Sequence, residues 1–411
     1  MITDAERMPP IAAVQAALHH ITESLAVGLA RADTASPTWS ELEWRLAPAV
    51  ASMHGVSPLL AQGHHWQGPP HWARFLAAQY RHTLVRQRRI EELLSNIDER
   101  SRSAGIAIVA LKGAALQMTG VYAAGERPMA DLDLLVQPAD VGTAVAVLLA
   151  LSYRDAGTTW KHQGFDPQAG TEQRADLGEH ADNPIKIDLH HRICERLPLT
   201  PTDLTDLVVP PHAQPGINGY PRAAALMAHL LAHAAGTMTH RGLRLIQLCD
   251  IARLARRMPA AEWEDLMRLH GSDQRLWWAA PPLMLTARYF ADVIPHEAIA
   301  HLARGCPLIL RQVTRRRRLA DFSYSHVYID AIPGIIWART PTQALQYCIA
   351  RILPTREQRA QIEVVSRTGP WSSEPHWHRQ SQLRRILQWI TSRPTRTETL
   401  QPVRAALART Y

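Results

Sequence analysis

The sequence has few cysteines, and none of them stand at the spacing of a metal or redox motif. Cys194, Cys249, Cys306 and Cys348 are scattered over 411 residues without a Cys-x-x-Cys pair. This pattern argues against a disulfide framework and against a zinc knuckle. We therefore expect a reducing compartment, for which the cytoplasm is the best fit.

Long apolar runs are also missing. A membrane-spanning helix needs roughly 18 or more apolar residues in succession, and no such run occurs. The first residues, MITDAERMPP, carry acidic groups and lack the apolar core of a secretory signal. A hydrophobic fraction of 46% at this length instead supports a globular protein of two or three domains, with no membrane partner.

Lysine is scarce in a chain that is otherwise basic. Three lysines (Lys112, Lys161 and Lys186) stand beside 42 arginines, and the net charge is +8. A basic surplus favours an anionic partner such as a nucleotide, a polyphosphate or RNA. Two of the lysines lie in the motifs described below, where a compact ammonium group can serve as a point charge.

Hydrophobic periodicity predicts helical ends around an α/β centre. Apolar residues at helical spacing over 11–31, 40–53 and 72–102 predict helices. In the centre GIAIVAL, DLDLLV and IKIDLHH predict strands, and GAALQMTGVY predicts a helix, while residues from 152 up to the last strand read as a polar, loop-rich stretch. Beyond Pro210 and Pro211 the helical pattern returns. We expect an α+β fold with a small mixed sheet, divided into a helical region 1–103, an α/β core 104–198, a helical domain 199–366, and a linker with a final helix 367–411.

Two of the predicted strands carry acidic residues on one face. In DLDLLV the period of two puts Asp131 and Asp133 on the face opposite Leu132 and Leu134. In IKIDLHH, likewise, Lys186, Asp188 and His190 lie opposite the isoleucines and Leu189. If the two strands are neighbours, three carboxylates converge, and they would repel one another unless divalent cations neutralised them. Oxygen ligands suit Mg²⁺ or Mn²⁺, so Asp131, Asp133 and Asp188 are the predicted metal ligands.

A turn upstream of these strands is a candidate phosphate site. In ALKGAA the strand meets a helix, and Gly113 would let the backbone approach a phosphate at the new helix N-terminus. Lys112 adds a positive charge there, and Arg127, just before the acidic strand, is a second phosphate candidate. Lys186, on the acidic face of the later strand, is a further one.

These motifs resemble a known superfamily. A Gly turn, a strand with two alternating aspartates and a later strand with a third resemble the nucleotidyltransferases of the polymerase β-type fold. More narrowly, LKGAAL, VYAAGERPMADLDLLV, IDLHHRI, LMAHLLAHAAGTMTHRGLRLIQLCDIARL and RILPTREQRAQI resemble a family of uncharacterised nucleotidyltransferases, often encoded in bacterial natural-product clusters. The similarity spans most of residues 70–362. The superfamily usually has Gly-Ser at the turn, where this chain has Gly113-Ala114, and its interval to the first aspartate is usually shorter.

The resemblance implies an activity and roles for these residues. It implies transfer of a nucleotidyl group, adenylyl from ATP foremost, from a Mg²⁺-bound nucleoside triphosphate to a hydroxyl or phosphate of a small molecule or peptide. Asp131 and Asp133 would hold the metals, and Asp188 would complete the site and activate the acceptor. Lys112, Gly113, Arg127 and Lys186 would contact the triphosphate. A transferase acting on RNA or protein and a non-catalytic nucleotide-binding module stay open as alternatives; the Gly-Ala turn supports the second.

Two other features have plainer interpretations. His229 and His233 stand four residues apart, a spacing that can bind zinc, but Leu230 takes the place of the glutamate of the HExxH motif, so packing or capping is the preferred role. The run Arg315 to Arg318 invites an RNA-binding interpretation, yet no aromatic platform accompanies it. We expect a solvated helix face there.

Overall fold

The computed structural model of the chain describes residues 8–31, 34–63, 66–159, 162–170, 177–197, 200–354 and 381–409. The helices before the sheet are α1 (Ile11–Ala30), α2 (Glu41–Met53), α3 (Ser57–Gly63) and α4 (Pro70–Ser103). Helix α2 begins at a capping box, because the Ser40 side chain accepts the Glu43 N–H and the Glu43 carboxylate accepts the Ser40 N–H. The expected helices at 11–31, 40–53 and 72–102 are confirmed.

Within the described residues, six strands form a mixed sheet: β1 (Ala107–Ala110), β2 (Asp131–Val136), β3 (Tyr153–Thr158), β4 (His162–Pro167), β5 (Lys186–His190) and β8 (Gly216–Asn218). Their order across the sheet is β3-β4-β5-β2-β1-β8. The pairs β2·β5 and β1·β8 are parallel, and β1·β2, β4·β5 and β3·β4 are antiparallel. A separate antiparallel pair consists of β6 (Cys194–Leu197) and β7 (Thr200–Asp203).

Helices connect and flank these strands. Between β1 and β3 lie α5 (Lys112–Met118) and α6 (Val141–Ala150), and α7 (Thr205–Val208) precedes β8. After the sheet come α8 (Ala223–Thr239), α9 (Leu245–Ala255), α10 (Ala260–His270), α11 (Ala280–Tyr289), α12 (His296–Leu302), α13 (Leu308–Arg316), α14 (Leu319–Phe322), α15 (Pro341–Ile352), and two last helices, Gln382–Thr391 and Thr397–Ala408. The expected α+β class, with helical regions on both sides of a mixed sheet, is therefore confirmed.

Two hydrophobic cores meet along α4. Its first half contributes Trp72 and Phe75 to a large core shared by α1, α2, α8, α9 and the C-terminal helix. Its second half contributes Ile90 and Ile97 to a smaller core against α6 and the back of the sheet. Val109 of β1 and Leu135 of β2 also belong to the first core, so its helices pack on one face of the sheet. The four-part domain division stays a prediction, and its linker at residues 367–380 lies outside the described residues.

Two expectations about the centre of the chain are wrong. The stretch after residue 152 is not only loop, since β3 and β4 form there, and β8 follows Pro210 and Pro211 where helices alone were expected. Strands β3 and β4 contain glycine or proline, which strands disfavour, and the three-residue β8 pairs with β1, about 110 residues earlier in the chain. Every helix among the described residues is either too short or too polar to span a lipid bilayer.

Candidate active site on the sheet surface

Strands β2 and β5 bring the predicted aspartates together. The strands are parallel neighbours, with Asp131 opposite Lys186 and Asp133 opposite Asp188. Leu132 and Ile187 point to the buried back of the sheet, so the acidic residues share the front. Asp131 is exposed, and Asp133 and Asp188 are half-buried. The expectation that the two strands are neighbours is confirmed.

Asp133 is already paired with two basic groups. Its Oδ1 lies 2.9 Å from Nζ of Lys112 and 3.0 Å from Nε2 of His190. Burial alone would raise the pKa of Asp133, but Lys112 and His190 outweigh it and hold the pKa well below its usual range. Asp133 is therefore a carboxylate at neutral pH.

The other two aspartates have raised pKa values. Burial, together with the charges of Asp131 and Asp133, raises the pKa of Asp188 to about 7. Desolvation by the surrounding protein and then the charge of Asp133 likewise raise the pKa of Asp131, although its side chain is exposed to solvent. Asp188 can therefore take up and release a proton near neutral pH.

A left-handed turn brings Lys112 to Asp133. Lys112 has a φ of 44°, which is uncommon for a residue with a side chain. Its backbone N–H donates to the Tyr220 hydroxyl (3.3 Å), which is hydrogen-bonded to Nδ1 of His229 (2.6 Å). Burial, aided by Lys112, lowers the pKa of His229 well below its ordinary value, so the imidazole is neutral, and in its Nε2–H tautomer Nδ1 accepts this bond. His229 thus supports the turn, in line with the packing role expected for it.

Gly113 and Arg127 lie behind this turn. A Cβ at position 113 would overlap Nη1 of Arg127 and come within 2.9 Å of Sδ of Met129. Arg127 makes a two-pronged ion pair with Asp250 of α9, at 2.8 Å from Nε to Oδ1 and 2.8 Å from Nη2 to Oδ2. The guanidinium therefore already has a carboxylate partner, and the glycine makes room for it. Contact of either residue with a triphosphate stays a prediction.

Lys186 lies at the edge of the site. It is opposite Asp131 in the register, and its Nζ is 3.6 Å from Oδ1 of Asp166, with 48% of the side chain exposed. A half-exposed lysine on the acidic face remains accessible to an anionic ligand. Its contact with the triphosphate is likewise a prediction.

Arg86 of α4 is a positioning residue that sequence reasoning missed. Its side chain is buried; Nη2 donates to the Met129 carbonyl at 3.0 Å, Nη1 donates to the Asn183 carbonyl at 2.7 Å, and Nε pairs with Glu179 at 2.8 Å. These carbonyls lie just before β2 and β5, so one arginine fixes the entry of both acidic strands. An arginine in an amphipathic helix gives no sequence signal for such a role.

His162 is the other residue that was missed. It lies on β4, and its Nε2 is 3.4 Å from Oδ2 of Asp188. Within the described residues, ligand atoms of His162, Asp188 and His190 lie within 4.8 Å of one another, a set that does not include Asp131 or Asp133. Only a correct strand assignment for HQGFDP could have drawn attention to His162.

Comparison with known proteins gives one family. No curated protein and no solved structure matches the chain. The family model described as uncharacterised nucleotidyltransferase matches residues 40–281, which include α2 through the start of α11 and all three aspartates. Because the match spans more than half of the chain, the protein belongs to this family of uncharacterised nucleotidyltransferases and is a transferase of that general kind.

Proposed function

We propose that the protein transfers a nucleotidyl group, adenylyl from ATP foremost, to a hydroxyl or phosphate of a small molecule or peptide, with Mg²⁺ or Mn²⁺. The observation that carries the proposal is the placement of Asp133 directly opposite Asp188 on parallel neighbouring strands, with Asp131 exposed beside them. A nucleoside triphosphate is the donor that the family membership implies. A natural-product acceptor and a cytoplasmic location stay predictions.

The three aspartates are oxygen donors of the kind that a divalent ion prefers. Side-chain rotation would have to bring them around one ion, because in the described residues the potential ligand atoms within 4.8 Å of one another belong to His162, Asp188 and His190. Asp131 and Asp188 offer carboxylate oxygens on an accessible surface, while Lys112 and His190 both contact Oδ1 of Asp133 and leave its Oδ2 for another partner. Asp131, Asp133 and Asp188 would therefore hold the ion. When bound, the ion would offset the charge of the triphosphate and of the departing pyrophosphate.

The side chains have distinct roles in the proposed transfer. The acceptor oxygen forms a bond to the α-phosphorus, and the bond from that phosphorus to the bridging oxygen breaks, so pyrophosphate leaves with the electron pair. The Asp188 carboxylate takes the proton of an acceptor hydroxyl, a role supported by its position opposite Asp133 on the accessible face. Lys112 and Lys186 attract the phosphates, and Gly113 and Arg127 keep the turn open toward them.

Pyrophosphate release tests this proposal. The full chain, Mg²⁺ or Mn²⁺, each nucleoside triphosphate and a panel of hydroxyl and phosphate acceptors should give release that depends on the acceptor. Asp131→Asn and Asp188→Asn should each lower the rate by about 100-fold or more, with an unchanged circular dichroism spectrum. Full activity in both variants would reject the assignment.

A non-catalytic nucleotide-binding role is the second candidate. The contact of Lys112 with Asp133 supports it, because an ammonium group then occupies an oxygen that a metal could otherwise use. For this role, calorimetry would show binding of a triphosphate with a divalent ion, and no acceptor would give pyrophosphate release.

A further inference from the structure

Strands β4 and β5 place two histidines beside the third aspartate. The strands are antiparallel, with His162 opposite His190, so both imidazoles lie on the same face of the sheet as Asp188. The ring centroids are 5.1 Å apart, and one ligand atom from each of the three residues lies within 4.8 Å of the others. We propose that His162, Asp188 and His190 form a nitrogen–oxygen site that binds a divalent first-row transition metal ion in preference to Mg²⁺.

The surroundings of the three side chains leave room for an ion. Gly164 lies opposite Asp188 on β4. A Cβ atom at position 164 would lie 3.9 Å from Oδ1 of Asp188, and its nearest heavy-atom neighbour would be 3.6 Å away, so the glycine leaves this space open. A larger residue there would fill the space beside the carboxylate. His162 and Asp188 keep 23% and 22% of their side chains exposed, so the site is open on one side, while His190 is almost fully buried.

The donor set decides which ions fit. Two imidazoles and one carboxylate are a set that Mn²⁺, Fe²⁺, Co²⁺ and Zn²⁺ accept, especially where further positions stay open for water or substrate. Mg²⁺ binds oxygen ligands and keeps its waters, so it gains little from the two nitrogens. Ligands of one ion at about 2.1 Å lie about 3 to 4 Å apart, which small side-chain rotations from the present spacing would reach.

Neighbouring residues help to hold the His190 imidazole. The Nε2 atom of His190 contacts Oδ1 of Asp133, which Lys112 keeps ionised. Such a carboxylate–imidazole contact orients a metal-binding histidine. All three residues also stand on strands rather than loops, which limits their movement. The inference rests on the proposed function in one respect. Asp188 would act in the transfer and would also bind this ion, which places the ion next to the reacting phosphate.

Electron paramagnetic resonance with Mn²⁺ tests the site. The full chain should bind Mn²⁺ in a tenfold excess of Mg²⁺, and electron spin-echo modulation should show coupling to imidazole ¹⁴N. His162→Ala should weaken Mn²⁺ binding about tenfold or more and reduce the ¹⁴N modulation. The neighbouring histidine outside the set offers a matched control, and His191→Ala should change neither signal. Absence of ¹⁴N coupling, or displacement of Mn²⁺ by an equal concentration of Mg²⁺, would overturn the proposal.

A second variant protects the test against a folding defect. Gly164→Val keeps both histidines and adds a β-branched side chain that strands favour, but it fills the space beside Asp188. It should keep the circular dichroism spectrum of the wild type and lose the ¹⁴N-coupled Mn²⁺ signal. Retention of that signal in Gly164→Val would contradict the position of the site.

The metal site and the proposed reaction can fail separately. Mn²⁺ with ¹⁴N coupling, but without pyrophosphate release from any acceptor tested, would support the site and reject the reaction. Mg²⁺-supported release at the wild-type rate in His162→Ala, with no ¹⁴N coupling in the wild type, would reject the site and support the reaction.

Discussion

One oxygen of Asp133, Oδ1, contacts both the ammonium group of Lys112 at 2.9 Å and Nε2 of His190 at 3.0 Å. Asp131 and Asp188 lie on the same face of the sheet, so without these two contacts three carboxyl groups would face one another. The lysine contact therefore stabilises the acidic face when no metal is bound. In the proposed reaction, the Lys112 ammonium group would turn from the Asp133 carboxylate to an incoming phosphate.

Loss of Lys112 should destabilise the fold. Its side chain is 17% exposed and that of Asp133 is 12% exposed, so Lys112→Met leaves a largely buried carboxylate with only His190. We expect a loss of about 2 kcal/mol or more in the free energy of unfolding, measured by urea denaturation at pH 7. Lys186→Met is the matched control, because its contact with Asp166 at 3.6 Å is half-exposed. Equal losses in the two variants would contradict the role given to Lys112.

A methyl group at position 113 should be harmful for steric reasons. Gly113→Ala would overlap the Arg127 guanidinium, which Asp250 holds in place, so the turn or the ion pair must shift. We expect a loss of about 1 to 3 kcal/mol, seen as a lower melting temperature. Gly142 in α6 is exposed, and a Cβ there meets nothing within 4 Å. Gly142→Ala should therefore keep or raise the stability, and a similar loss in both variants would point to a general effect of alanine.

The ion pair between Arg127 and Asp250 should show strong coupling. The side chains are 15% and 3% exposed, and Tyr122 donates a third hydrogen bond to Oδ1 of Asp250. Arg127→Met should cost about 3 kcal/mol or more, because it leaves a buried carboxylate unpaired. The double variant with Asp250→Asn should cost clearly less than the sum of the two single changes. Additive losses in this double-mutant cycle would show that the pair is not coupled.

A pair on the surface provides the comparison for that cycle. Arg222 and Asp265 also make an arginine–carboxylate contact, at 2.6 Å, but 61% of the arginine side chain is exposed. Arg222→Met should lose far less stability than Arg127→Met, because water replaces the lost partner. Burial, rather than contact distance, therefore sets the expected difference.

The sequence predicts the acidic face well, for a physical reason. Apolar and polar residues alternate over DLDL at the start of β2 and over IKIDLH at β5, and a strand with one buried face must place alternate side chains on opposite sides. The orientation of Asp131, Asp133 and Asp188 follows from this local rule. Alternation does not determine which strands are neighbours, and it is the pairing of β2 with β5 that brings the aspartates to one part of the sheet.

The histidine beside Asp188 could not be predicted in the same way. Strand β4 contains a glycine and a proline, both disfavoured in strands, and Phe165 is its fully buried apolar residue. Its pairing with β5 is a long-range contact that local propensity does not encode. The partners of Arg86 and of Arg127 depend in the same way on tertiary packing, so the sequence alone suggested their charges but not their contacts.

The histidine at the end of α2 should make the protein sensitive to acid. His54 is fully buried, and its Nδ1 accepts the Leu245 backbone N–H at 3.0 Å, while its Nε2 lies 3.1 Å from the Ser325 hydroxyl. Burial, aided by the charge of Arg244, lowers the pKa of His54 to about 3 in the folded chain. In the unfolded chain the pKa is about 6.5, so below that pH the unfolded state binds a proton that the folded state does not. The contribution to stability is therefore complete above about pH 6.5 and falls as the pH drops toward 3.

This difference predicts a loss of about 2 kcal/mol from His54 between pH 7 and pH 5. His54→Gln removes the titrating group, so it should be less stable than the wild type at pH 7 but should lose less stability on acidification. Urea denaturation at intervals from pH 7.5 to pH 5 measures both effects, and the exposed His212 offers a control, since His212→Gln should keep the wild-type pH dependence. The same pH dependence in His54→Gln as in the wild type would show that His54 is not the group responsible. Because His54 connects α2 to the start of α9 and to the segment at Ser325, its protonation should loosen the helices that enclose the sheet before it disrupts the sheet itself.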